Sequence, residues 1–191
     1  MPHANARALP CRAFRAETVS RALLGAAPIT GRLDLEATVT AGTAAAPLTG
    51  SGRLSLRDGT VSGFDLDALA ALQSDVEKGA ELARLVAQDL SRGKTAVAAL
   101  DGSFTLQGGR LATDDMTSRA TAGTIALRGG VDLAAGQLDL QLALQLAGAP
   151  PARIHVTGAL AAPVRALDAQ DLVAFLAAAR RPAAATGSSG R

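Results

Sequence analysis

Tryptophan and tyrosine are absent from this sequence, phenylalanine occurs four times and cysteine once. Without large rings, a core must be assembled from Leu, Val, Ile and Ala. The same shortage argues against nucleic acid, which single-strand binders hold by aromatic stacking beside clustered cations. The cations are not clustered either: the formal net charge is +2, only Lys78 and Lys94 are lysines, and no basic run exists. Cys11 cannot form an internal disulfide and leaves the redox compartment open. No segment reaches the ~18 uninterrupted apolar residues that span a bilayer. The opening Met1-Pro-His-Ala-Asn-Ala-Arg7 has no apolar stretch behind it and does not read as a signal peptide. The expectation is a chain that is soluble or lacks an N-terminal part. A chain of 191 residues is most simply one domain, burying roughly two thirds of its unfolded surface.

What is present is alternation. Gln137 to Leu146 carries Leu138, Leu140, Leu142, Leu144 and Leu146 separated by Gln, Asp or Ala. Period two places all five on one face of a strand, whereas a helix would scatter them around its circumference. Leu33, Leu35, Ala37 and Val39 alternate with Arg32, Asp34, Glu36 and Thr38 in the same manner. A unit then recurs: Gly52 to Asp58-Gly59, Gly102 to Gly108-Gly109, and Gly123 to Gly129-Gly130. Each has a glycine, an apolar residue two positions on (Leu54, Phe104, Ile125), a Leu two further, and a two-residue turn signal. Asp-Gly or Gly-Gly between alternating arms suits a type I′ hairpin, which needs positive φ at both central positions. The returning arms are expected from Val61, Leu111 and Val131. Ala134-Ala135-Gly136 turns the third unit into the leucine strand, and Ala152 to Leu160 adds another strand.

Helical spacing interrupts this pattern. Ala16 to Leu24 reads as a short helix before Gly25. Asp65 suits an N-cap for Leu66 to Leu72, and Ser74-Asp-Val-Glu77 reads as a capping box before a helix with Leu82, Leu85, Val86 and Leu90 on one face. Asp168 to Arg181 is the last helix. The expected fold is mainly β with a helical insertion (α+β): an antiparallel meander of curved strands forming a groove or half-barrel, covered by two or three short helices. Residues 1–27 are taken as irregular with one short helix, 28–165 as the β domain with its insertion at 64–92, 166–181 as a C-terminal helix, and 182–191 as a disordered tail.

Motifs with chemistry are weak. Gly93-Lys94-Thr95 ends like a phosphate loop, but position 88 is Gln and the stretch follows a helix, so a helix stop is favoured. Asp65 and Asp67 read as cap and first-turn acid rather than a metal pair. Asp114-Asp115 reads as a turn or bulge. His3 and His155 have no second ligand nearby, and no Gly-x-Ser-x-Gly elbow occurs. No enzyme activity, cofactor or metal is expected.

The stretches Leu56-Arg-Asp-Gly-Thr-Val-Ser-Gly-Phe-Asp-Leu66, Gly102 to Met116 and Gly130 to Leu140 together resemble the C-terminal region of the bacterial AsmA family. There a "dGxxxGxDL" stretch opens a helical insertion, and a "G-s-f-x-l-x-n-G-x-l-x-t-d-D-l" strand pair and a "G-x-v-D-L" strand follow. The likeness covers roughly residues 28 to 165. One departure is Lys94-Thr-Ala-Val97, where the family shows a Thr-Asp-Phe-like start. The resemblance implies a Gram-negative envelope protein on the periplasmic side of the inner membrane, held there by an upstream anchor outside this sequence. It further implies a part in outer-membrane assembly and phospholipid homeostasis, with envelope proteins as possible partners.

Two readings follow. In the first, the apolar face accommodates phospholipid or another acyl-chain ligand, lined by Leu138, Leu140, Leu142, Leu144 and Leu146 with Ile125 and Leu127. In the second, the face is a dry core and the chain is a closed adaptor that binds a protein partner. Alternation specifies that a face is buried, not by what.

Overall fold

The computed structural model describes residues 6–24, 28–40, 48–74 and 81–179. Within them the chain forms one antiparallel sheet of nine strands in sequence order, an open meander. The strands are β1 (Ala6–Arg15), β2 (Ile29–Thr40), β3 (Thr49–Ser62), β4 (Lys94–Gln107), β5 (Arg110–Ala120), β6 (Gly123–Asp132), β7 (Gln137–Leu146), β8 (Ala152–Ala159) and β9 (Ala162–Asp168). The helices are α1 (Ala16–Leu24), α2 (Leu66–Ala71), α3 (Leu82–Asp89) and α4 (Gln170–Ala179). The mainly-β meander expected from alternation is thus observed. All the helices leave or re-enter the sheet at the same end, where β1, β3 and β9 finish and β4 begins.

Local chemistry sets these boundaries. The carboxylate of Asp65 accepts the Ala68 N–H at 2.9 Å and caps α2 as expected. The proposed capping box beyond Ser74 falls outside the described residues, as does the tail at 182–191. Gly93 takes φ +92 and turns the chain from α3 into β4. Next to it, the buried Thr95 hydroxyl donates to the Phe64 carbonyl at 2.9 Å and accepts the Leu66 N–H at 3.1 Å. Gly93-Lys94-Thr95 therefore stops a helix and pins the start of α2.

Several expectations need correction. Residues 6–15 are not irregular; they form β1 along β2, with a register break between Leu9 and Arg12. Pro10 sits in that break, where a missing N–H is tolerated. Of the three hairpin signals, Gly108-Gly109 is a two-residue turn with φ +60 and +83, joining Gln107 to Arg110. Gly129-Gly130 lies inside β6 instead, where Gly129 (φ +122) brings the backbone close to β7: a Cβ there would stand 2.1 Å from the Asp139 carbonyl oxygen. Asp58-Gly59 lies inside β3, so Val61 continues that strand rather than returning. Asp58, at φ +49, is the extra residue of a bulge against β2. Ala98 is the matching extra residue of β4 against β5. The double bulge keeps Gly59 and Val97 on the same side as Leu56 and Leu100, so the apolar face continues through it. Finally, residues 162–168 form β9, and the last helix starts only at Gln170. Every residue of β9 is exposed, so no buried alternation marked it.

Candidate functional site

Register turns the separate apolar faces into one surface. Leu33, Leu56, Leu100, Ser118, Ile125, Leu144 and Ala152 form one continuous rung across β2 to β8. Further along the strands, Met116, Leu127, Leu142 and Ile154 form another. Next come Gly129, Leu140 and Val156, and last Leu106, Leu111, Val131 and Leu138. Gly52 is paired with Phe104, whose ring fills the space a Gly52 side chain would take.

The helices cover one end of this surface. Phe64, Leu66, Leu69, Val86, Leu90, Leu172 and Leu176 are at most 1% exposed and pack with Leu56, Leu144, Leu146 and Ile154 in one core. At its margin Leu54, Leu142 and Val156 are half-buried and pack against that core, and beyond it the face is half-buried at Leu35, Phe104, Leu106, Leu111, Val131 and Leu140 and buried at Ala37. The residues singled out from sequence therefore divide. Ile125, Leu144 and Leu146 belong to the helix-covered core. Leu127, Leu140 and Leu142 are half-buried at or past its margin, and Leu138 is buried near the opposite end of the sheet. Leu35, Leu54, Phe104 and Leu106 extend the same surface but were not singled out, because only pairing register shows which alternating faces join.

The other face is polar and internally paired. Asp101 accepts from the Arg57 guanidinium at 2.8 Å and from the Ser55 hydroxyl at 2.6 Å. The bond from Arg57, then that from Ser55, holds the Asp101 carboxyl below its usual range, and the same bond to Asp101 raises Arg57. Asp114-Asp115 forms a bulge, as expected. The Asp115 carboxylate accepts the Ser103 N–H at 2.8 Å and its hydroxyl at 2.7 Å, replacing the ladder bond that the bulge removes. Those bonds, the backbone one first, lower its pKa. His155 Nε2 lies 2.7 Å from Asp139 Oδ1, and Arg128 donates to Gln141 at 3.0 Å. A hollow of about 370 Å³ opens between Glu36, Ser51, Arg53 and Ser103, and another of about 240 Å³ between Gln141, Arg153, His155 and Asp168. No group of three or more His, Cys, Asp or Glu side chains converges as a metal set among the described residues. Nor is any helix among them long and apolar enough to cross a membrane.

Among the described residues of β2 to β9, one arginine lies on the apolar side instead. Arg165 of β9 lies opposite Val156, on the apolar side of the sheet. Its guanidinium rests against Gly63, where a Cβ would be 2.9 Å from Nη1. Gly63 takes φ +109 and donates to the Gly93 carbonyl at 2.9 Å, so its position is fixed by the link between β3 and α2. Burial lowers the Arg165 pKa, although the residue as a whole keeps an exposed edge.

No protein-family model, curated protein or solved structure matches this chain.

Proposed function

We propose that this chain is a non-enzymatic module of the bacterial cell envelope whose sheet curls into a groove and accommodates acyl chains on its half-buried part, beyond the helices. The observation that carries the reading is the single apolar surface shared by β2 to β8, which the described helices cap at one end. Curling is supported by a distance argument. β3 and β9 are six strand spacings apart, about 29 Å across a flat sheet at ~4.8 Å per spacing. Yet the Arg165 side chain touches Gly63, one residue past the end of β3. A sheet bent with its apolar side inward accounts for that contact. Gly50, Gly52, Gly102, Gly129 and Gly158 on that side leave room for the bend.

Completing the burial of a half-buried Leu contributes about 1 kcal/mol. Several such side chains in line make acyl-chain binding favourable before the chain's lost freedom is subtracted. The turn motifs that resemble the AsmA family suggest the setting: the periplasmic side of the inner membrane, with a role in phospholipid homeostasis and outer-membrane assembly.

A second reading, an adaptor that pairs with another protein, is favoured by β9. It is a fully exposed edge strand with Val164 at 65% and Leu167 at 39% exposure, and an open edge is a template for strand addition. Native mass spectrometry of protein purified from cells separates the two. Co-purifying phospholipid supports the groove, whereas a lipid-free chain that excludes an apolar dye from its surface defeats it and favours the adaptor.

A further inference from the structure

Among the strands β2 to β8, register places no charged residue on the apolar face. The cation at its margin is Arg165, opposite Val156, which is itself paired with Leu140. The other arginines at this edge of the sheet are engaged on the polar face: Arg153 pairs with Asp168 at 3.7 Å and Arg128 with Gln141 at 3.0 Å. Arg165 has no carboxylate within ion-pair distance among the described residues. Its position is nonetheless defined, because Gly63 has no side chain to displace the guanidinium.

We infer that Arg165 anchors the headgroup of an anionic phospholipid whose acyl chain lies along Val156 and Leu140. A guanidinium offers two parallel N–H donors that match a phosphate, and where water is partly excluded such charge-assisted bonds are at their strongest. The location suits an amphiphile. Val156, opposite Arg165, belongs to the half-buried apolar surface, and Arg165 itself stands on the exposed edge strand β9. This inference rests on the groove reading and adds selectivity for a charged head, which an apolar surface alone does not supply.

The test uses the full chain incubated with mixed vesicles containing phosphatidylglycerol and diacylglycerol with identical acyl chains. Lipid carried off by the protein is quantified by mass spectrometry. Wild type is expected to favour phosphatidylglycerol by about tenfold, the scale of one charge-assisted interaction. Arg165→Gln should take both lipids equally at an unchanged melting temperature, and Arg165→Lys should keep part of the preference. Added inorganic phosphate should not displace the lipid, since it brings no acyl chain. Displacement by free phosphate would make Arg165 a simple anion site and overturn the headgroup assignment. Uptake without preference in wild type, or an undiminished preference in Arg165→Gln, also overturns the anchor while leaving the groove intact. Uptake of neither lipid overturns the groove and the anchor with it. Should Arg165→Gln fail to fold, the Arg165→Lys variant and the wild-type preference still decide.

Discussion

Leu140 and Leu144 stand on the same strand and the same face, yet Leu144 is 1% exposed beneath the helices while Leu140 is half-buried beyond them. Leu144→Ala removes buried carbons from a packed site and leaves a cavity, an effect of about 3–4 kcal/mol. Leu140→Ala removes the same carbons from a site already in partial contact with solvent. Roughly half the transfer term is lost there and no closed cavity forms, so about 1 kcal/mol is expected. Urea unfolding monitored by circular dichroism measures both; for Leu144→Ala the midpoint should fall far more, with the slope unchanged. The same pair read with lipid should invert, Leu140→Asp abolishing acyl-chain retention in a folded protein. Equal destabilisation by Leu140→Ala and Leu144→Ala would show that the far half of the face is ordinary core, and the groove would have to be abandoned.

Further substitutions probe the supports of this surface. Thr95→Val strips the buried hydroxyl from between the Phe64 carbonyl and the Leu66 N–H, and a loss of about 2–4 kcal/mol in chemical denaturation is expected from two groups left unsatisfied. Gly108→Ala and Gly129→Ala both force positive φ on a side chain, but a Cβ at Gly108 meets nothing within 4 Å whereas one at Gly129 would clash with the Asp139 carbonyl. The first should lower stability by about 1–2 kcal/mol, and the second should fail to yield a cooperative melt. Asp115 has its folded-state pKa depressed by the bonds from Ser103. Its contribution is therefore present above the unfolded value of about 3.9 and lost as pH falls through the folded one. Asp115→Asn should accordingly flatten the acid limb of a melting-temperature profile, and an unchanged limb would assign that limb to other carboxylates.

How much of this was legible in the sequence varies with burial. The leucine strand was read correctly because one of its faces is apolar at every second position, and α1 because a glycine and a proline follow it closely. β9 escaped notice because an exposed edge strand imposes no alternation on its residues, and β1 because Pro10 interrupts whatever period it had. Asp58-Gly59 misled for a different reason. A left-handed residue serves a type I′ turn and a strand bulge equally well, and only the pairing of Arg32 with Arg57 and Thr30 with Thr60 distinguishes them. The division of the leucine ladder into members packed under the helices (Leu144, Leu146) and half-buried ones (Leu140, Leu142) was out of reach, since it depends on where α2, α3 and α4 settle after the strands have paired. Arg165 gave no signal at all, lying on an edge strand beside a glycine more than a hundred positions earlier in the chain.

The sequence-order pairing of the strands has a consequence for how such a chain changes size. Each strand bonds only to the one before and the one after it, so a hairpin gained or lost at β1 or β9 alters no pairing elsewhere. Lengthening a sheet of this kind requires duplication of a local segment rather than redesign of a whole domain. Folding follows the same logic: from β4 to β9 each added strand closes a short loop onto an existing border, whereas the β3–β4 pair must close across the helical insertion.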